Sequence, residues 1–331
     1  MPRILIGGYY GFGNTGDEAI LSAMLNDLRS LQPELEFIVL SGNPGETAAH
    51  YNVEAIPWSD IPALLEAVQQ CDLIILGGGG LFHDYWGVQA DTLLTRNLTG
   101  IPFFSGFPLL AELTKKPCML YALGVGPLLY EEGKRLTRFA FEETKIATVR
   151  DIESKKLLQS ISPKLRSVKV TADPAFSLPV DEGAAREALR NAQVRRDNKI
   201  PLVGVCLRYW DINSVPKIWQ EQIAAALDRF VESCGCSLLF IPFQNLSGYL
   251  LGDDLAVAEE VIAQMHAAKS ATILRGSYSP EVIASILAQC DLVLGMRLHS
   301  LIFAAKAGVP TVGVIYDPKV ANLMASLGMG A

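Results

Sequence analysis

Short apolar runs alternate along the chain with longer amphipathic stretches. The apolar runs predict strands at Arg3–Ile6, Glu36–Leu40, Leu73–Leu76, Cys118–Leu123, Ala147–Val149 and Ser167–Thr171. A second series falls at Leu202–Leu207, Ser237–Ile241, Ala271–Leu274, Leu292–Leu294 and Thr311–Ile315. Between them, helical patterns cover, for example, Glu18–Leu31, Ile61–Gln69, Glu132–Phe141, Lys217–Glu232, Leu255–Ala267 and Pro280–Gln289. Strands alternating with helices predict an α/β protein with parallel sheets covered on both faces. Runs such as Leu73-Ile-Ile-Leu76 lack polar alternation, as fully covered strands do.

The chain's 331 residues exceed what one hydrophobic core usually serves. A polar stretch, Asp181–Lys199, follows Asp173-Pro174 and Pro179 and precedes a new apolar strand. The domain junction is therefore placed near residue 176, giving domains 1–176 and 177–331. An internal echo supports two similar halves: Cys71-Asp-Leu-Ile-Ile-Leu-Gly77 resembles Cys290-Asp-Leu-Val-Leu-Gly295. Each reads as a helix end, a buried strand and a glycine at the strand's carboxyl end, where open α/β sheets bind ligands. Two Rossmann-like domains facing across a cleft make the architecture GT-B-like. A GT-B fold usually ends in a helix that crosses back to the first domain. Here the chain ends at Ala331, soon after the last strand, so the C-terminus is expected to be trimmed.

Composition narrows the classes. Half the residues are apolar, about a fifth are charged, and a net charge of −7 leaves no footprint for nucleic acid. No signal peptide and no apolar run of ~20 residues is legible, which predicts a cytoplasmic protein with at most peripheral membrane contact. Six cysteines lie mostly in or beside apolar runs, as buried small hydrophobes in a reducing compartment do. Cys234-Gly-Cys236 has the wrong spacing for a redox or zinc motif, and His50, His83, His266 and His299 are scattered. Neither a metal nor a cofactor is expected. The apolar stretch Asn97–Leu110, with Phe103 and Phe104, predicts burial against the first domain or, alternatively, contact with a lipid acceptor.

Gly11-Phe-Gly-Asn-Thr-Gly16, between the first strand and the first helix, formally matches a dinucleotide fingerprint. Two features oppose that reading. The second strand ends Leu40-Ser41-Gly42, without the acid that holds a ribose. Asp17 and Glu18 occupy the first helical turn, where they suit the helix dipole but repel a pyrophosphate. Tyr9, Tyr10 and Phe12, interleaved with glycine, instead suggest a sugar-stacking surface. The loop is read as an acceptor-side wall formed by Tyr10, Gly11, Gly13, Asn14 and Gly16. Asn14 and Asp17 are its hydroxyl-binding or proton-transfer groups.

Other segments join the same rim. Gly77–Gly80, with Gly78 and Gly79 at its centre, would let a ligand approach backbone amides; Gly124-Val-Gly126 follows the next strand. Arg150 stands at a strand's carboxyl end, as an anion ligand would. Asp173-Pro174 reads as a structural turn. Met296-Arg-Leu-His-Ser300 opens a helix, and Arg297 and His299 alternate so as to point the same way from an extended turn. Arg, His and a helix start make an anion site, and Lys319, after Asp317-Pro318, is placed to reach the same anion.

Together, Gly8-Tyr-Tyr-Gly-Phe-Gly-Asn-Thr-Gly-Asp-Glu18, Gly77–Gly80, Arg150-Asp151, Ala172-Asp-Pro-Ala-Phe176 and Met296–Ser300 resemble the polysaccharide pyruvyl transferase family, in particular its CsaB-type members. The resemblance implies transfer of pyruvate from phosphoenolpyruvate to a sugar as a ketal. It implies as acceptor a lipid-linked, N-acetylmannosamine-containing cell-wall precursor. The family's donor-binding arginine, histidine and lysine correspond to Arg150, His299 and Lys319; Arg297 is added from the residue reading. Asp17 or Glu18 is the expected base and His299 the expected acid. The alternative is a GT-B glycosyltransferase using a nucleotide sugar, with Asp317 on the ribose.

Overall fold

A computed structural model describes residues 1–95, 100–194, 199–246 and 250–330. Asn97, Leu98 and Thr99 of the apolar stretch, and residues 195–198 of the polar one, lie outside the described residues. The contacts of the chain fall into two units, one of Met1–Phe12 with Asp17–Pro174, the other of Gly13–Gly16 with residues from Ala175 onward.

The first unit holds strands β1 (Arg3–Gly7), β2 (Glu36–Ser41), β3 (Glu54–Pro57), β4 (Leu73–Leu76), β5 (Gly79–Phe82), β6 (Cys118–Val125), β7 (Ile146–Val149) and β8 (Lys169–Val170). They form a parallel sheet in the order β3-β2-β1-β4-β6-β7-β8, with β5 paired to β6. The helices are α1 (Thr15–Leu31), α2 (Pro44–Tyr51), α3 (Ile61–Gln70), α4 (Gly100–Thr114), α5 (Glu131–Glu142) and α6 (Ile152–Ile161). Two strands escape the apolar pattern. β3 is an edge strand with no buried residue, so it carries no apolar run. β5 begins on two glycines of the Gly77–Gly80 segment, read from sequence as a loop throughout.

Helix α4 corrects the lipid-contact alternative. Phe103, Phe104 and Phe107 are buried in the main core cluster together with Leu76, Leu120 and Phe141. A Cβ at Gly7 would run into the Phe107 ring, so β1 and α4 meet at van der Waals distance only because Gly7 has no side chain. Among the described residues no helix is long and apolar enough to cross a membrane.

The second unit holds β9 (Leu202–Cys206), β10 (Ser237–Phe240), β11 (Ala271–Ile273), β12 (Leu292–Gly295) and β13 (Thr311–Gly313), in the parallel order β11-β10-β9-β12-β13. Its helices are α7 (Glu182–Asn191), α8 (Pro216–Cys234), α9 (Asp254–Gln264), α10 (Pro280–Leu287), α11 (Leu298–Lys306) and α12 (Pro318–Ser326). Both sheets reverse strand order beside their first strand, at β1/β4 and β9/β12, as Rossmann-like sheets do.

The internal echo falls on these two positions, and the structure supplies its reason. Asp72 accepts the Arg3 N–H at 2.8 Å and donates its own N–H to the Arg3 carbonyl at 2.8 Å. Asp291 does the same to Leu202, at 2.8 Å in both directions. Cys71 and Cys290 are buried beside them. The repeated Cys-Asp therefore locks the echo strand to the start of the first strand in each sheet; it is structural rather than chemical. Cys234, at the end of α8, departs from the buried pattern and is exposed.

Candidate active site

At the carboxyl end of the first sheet, the glycines of Gly77–Gly80 face different side chains. A Cβ on Gly77 would strike the Tyr10 hydroxyl, and one on Gly78 would lie 2.9 Å from Ile20 Cγ2. These two glycines accommodate the core. Gly79, at φ +95°, would bring a Cβ 2.7 Å from Asp17 Oδ1, and Gly80 would bring one 3.7 Å from Arg150 Nη2. Gly79 lets the Asp17 carboxylate lie against the backbone, whereas a side chain at Gly80 would make only ordinary contact with Arg150.

Tyr10 is not the stacking residue expected of it. Its side chain is fully buried, and its hydroxyl finds no hydrogen-bond partner among the described residues. Burial, then the charges of Asp17 and Glu18, push its phenol well above the ordinary range. Gly78, covered by Ile20, likewise leaves the acceptor wall. Tyr9 and Phe12 stack on each other at 4.4 Å, and Trp58 meets Phe12 edge-on at 5.1 Å. These aromatic faces pack against one another.

Glu18 holds the glycine loop closed. Gly11, at φ +77°, donates its N–H to Glu18 Oε1 at 2.7 Å, and the Tyr51 hydroxyl donates to Oε2 at 3.2 Å. Burial nevertheless dominates and raises the Glu18 carboxyl from 4.5 to about 7; the Gly11 and Tyr51 bonds oppose it. The stability tied to this proton is fully present below pH 4.5 and is lost as pH rises through about 7. Glu18→Gln keeps an acceptor without the charge. Its unfolding free energy relative to wild type is expected to improve by up to about 3 kcal/mol between pH 4.5 and pH 8. Denaturant melts of both proteins across that range check the sign; a flat difference would show that Glu18 titrates normally.

Asn14 Oδ1 accepts the Gly16 N–H at 3.0 Å, so it shapes the entry to α1. Ser41, where a ribose acid would stand, turns its hydroxyl to Thr47 at 2.7 Å and accepts the Asn43 N–H. Gly13 is exposed, and a side chain there would meet open space. The Arg150 side chain is 7% exposed and donates to Asp173 Oδ2 at 2.9 Å. Gly124 leaves room for it, since a Cβ there would lie 2.8 Å from Nε and Nη2. Asp173, read from sequence as a turn residue, is the counter-ion of Arg150, while Asp151 caps α6 through Ser154 N.

In the second unit, Arg297 is corrected. It does not share an extended turn with His299: it is the N-cap of α11, and His299 is the second helical residue. Arg297 Nε and Nη2 bond Asp254 Oδ2 and Oδ1 at 2.8 and 2.5 Å, both groups buried. Its charge is paired there, as that of Arg150 is with Asp173. Asp254 Oδ2 also accepts Phe243 N and Gln244 N at 3.0 and 3.2 Å. Asp254 was missed because nothing in its helical surroundings marks it. His299 remains half-buried, its ring near Phe303, and only the absence of a side chain at Gly16 leaves room for it. Thr15 N, in the same loop, donates to the Phe243 carbonyl at 2.8 Å.

Lys319 Nζ lies 3.3 Å from Asp317 Oδ2 and 5.8 Å from the centre of the Tyr316 ring. Asp317 is buried and caps α12 by accepting Lys319 N at 2.9 Å. The ribose acid needed by a nucleotide-sugar enzyme is therefore already engaged.

The comparisons with known proteins bear on the family and the fold. The sequence model described as "Polysaccharide pyruvyl transferase" matches residues 14–318. That span takes in Asp17, Arg150 and His299 and stops one residue short of Lys319. The amylovoran biosynthesis protein AmsJ of Erwinia amylovora is 20% identical over 375 residues, covering 99% of this chain and 86% of AmsJ. A UDP-GlcNAc 2-epimerase of Methanocaldococcus jannaschii superposes with a TM-score of 0.65 at 9% identity, over 100% of this chain and 88% of its own. A putative UDP-N-acetylglucosamine 2-epimerase from Listeria monocytogenes gives 0.64 at 14%, over 96% and 81%. These two likenesses concern the fold alone, and they agree with the GT-B-like class expected from sequence. With the family's sequence pattern running through both Rossmann-like units, the chain belongs to the polysaccharide pyruvyl transferase family.

Proposed function

We propose that the protein transfers pyruvate from phosphoenolpyruvate to a sugar as a cyclic ketal and releases phosphate. The observation that carries this reading is the imidazole and the ammonium group at two helix starts beyond the second sheet. His299 opens α11 and Lys319 opens α12, at the carboxyl ends of adjacent strands β12 and β13. A donor bearing a phosphate and a carboxylate needs such groups. Arg150 is the corresponding cation of the first unit. No metal or cofactor is invoked.

The reaction adds two sugar hydroxyls to C2 of the donor and breaks the C2–O bond to phosphate. Of the two hydroxyl protons, one ends on C3 to make the methyl group and the other leaves with phosphate. Asp17 or Glu18 is the proposed base; Glu18 also accepts from Gly11 N–H and the Tyr51 hydroxyl. His299 is the proposed acid. The acceptor is proposed to be a lipid-linked, N-acetylmannosamine-containing glycan, on the strength of the CsaB-type resemblance, met at the inner face of a membrane. Phe103 and Phe104, being buried, take no part in that contact.

Phosphate release from phosphoenolpyruvate, with and without acceptor sugar, tests the reading. Acceptor-dependent release is expected, with mass spectrometry showing pyruvate on the sugar. His299→Ala is expected to lower turnover by about 10²–10⁴. Release that ignores the acceptor, or a His299→Ala enzyme with full turnover, would count against the assignment.

A further inference from the structure

Arg208 stands two residues past β9, at that strand's carboxyl end, and the strand pattern passed over it. Its guanidinium carbon lies 5.4 Å from the centre of the Trp210 ring and 5.5 Å from that of Tyr316. The two rings meet edge to face at 4.6 Å. Nη1 is 3.4 Å from the Tyr316 hydroxyl, and Nε is 3.4 Å from the Tyr209 carbonyl. The head group is therefore held against two aromatic rings before any ligand arrives.

Two further facts separate this arginine from Arg150 and Arg297. Each of those is neutralised by a buried aspartate, Asp173 or Asp254. Among the described residues, Arg208 makes no ion pair with a carboxylate; its polar contacts are the Tyr316 hydroxyl and the Tyr209 carbonyl. Its neighbour Lys319, 3.3 Å from Asp317 Oδ2, lies over the same Tyr316 ring. The phenol of Tyr316 registers this field. Burial would raise it, but Lys319, Arg208 and Arg297 together hold it below the ordinary tyrosine range despite Asp317.

Sheet order supplies the location. β12 lies between β9 and β13. A side chain that leaves the end of β9 and touches Tyr316, three residues past β13, therefore bridges the end of β12, where α11 begins and His299 stands. We propose that Arg208 is the phosphate ligand of this site, binding the phosphate monoester of the donor beside Lys319. The proposal rests on the donor reading for the identity of the monoester, but not for the presence of an anion site.

Inorganic phosphate and phosphoenolpyruvate, titrated separately into the full-length wild type, Arg208→Ala and Arg208→Gln, decide it by calorimetry. Arg208→Gln keeps part of the stem against the rings, and it decides the matter if Arg208→Ala fails to fold. Both ligands are expected to bind the variants at least about tenfold more weakly, with melting temperatures little changed. Phosphate affinity within about twofold of wild type in both variants, or no phosphate binding by the wild type, overturns the proposal. Phosphate binding that depends on Arg208, with no binding of phosphoenolpyruvate, would uphold Arg208 and sink the donor reading. Acceptor-dependent turnover of phosphoenolpyruvate that is indifferent to Arg208 would do the reverse.

Discussion

Asp254→Ala is expected to destabilise the second unit by roughly 3–5 kcal/mol, the usual consequence of removing one partner from a buried ion pair. Asp254 sits at the first turn of α9 and is 1% exposed; the Arg297 side chain opposite is 6% exposed. The substitution would strand that guanidinium without a counter-charge. It would also leave the N–H groups of Phe243 and Gln244 without the carboxylate oxygen they share, each such loss typically costing about 1–3 kcal/mol. These contributions overlap and do not add, because one carboxylate makes all of them. A double variant, Asp254→Ala with Arg297→Met, removes the stranded charge and is expected to recover part of the loss. Denaturant unfolding of the two singles and the double gives the cycle directly. A single-variant loss below about 1 kcal/mol would mean that the pair is solvated and weak. Arg297 also caps the helix on which His299 stands, so donor affinity is expected to fall in Asp254→Ala even where the protein is still folded.

Arg150 carries the second large effect, and here stability and turnover should separate. Arg150→Ala leaves Asp173 as a buried unpaired carboxylate; its side chain is 4% exposed. A stability loss of roughly 3–5 kcal/mol is expected, together with loss of turnover by about 10² or more. Arg150→Lys restores the positive charge opposite Asp173, and most of the stability should return. Turnover should not, since an ammonium cannot reproduce the planar fork of a guanidinium. Gly124→Ala tests the same point without deleting charge: its methyl would lie 2.8 Å from Arg150 Nε and Nη2 and must displace the head group. Unfolding curves and phosphate-release rates on the three variants suffice. If Arg150→Lys regains both properties, Arg150 acts only as the counter-ion of Asp173.

Much of the framework was legible because its signals are local. Apolar runs mark the strands that are covered on both faces, and the Cys-Asp echo marks the same lock in both sheets at Asp72 and Asp291. β3 was missed because an edge strand needs no apolar run, and β5 because glycines that begin a strand look like glycines in a loop. The glycines of Gly77–Gly80 announced close approach but not what approaches: Tyr10 at Gly77, Ile20 at Gly78 and Asp17 at Gly79.

The sequence by itself determined the alternating α/β plan, the acidic start of α1 that argues against a dinucleotide, and the motifs around Arg150 and His299. Each of these is carried by residues close together in the chain. Only the tertiary structure decided which charges are compensated. Arg297 meets Asp254, 43 positions away, and Arg150 meets Asp173, 23 away, whereas Arg208 meets the ring of Tyr316, 108 away. The pull of a charge on a ligand depends on its counter-charges and its burial, and distant segments of the chain supply both.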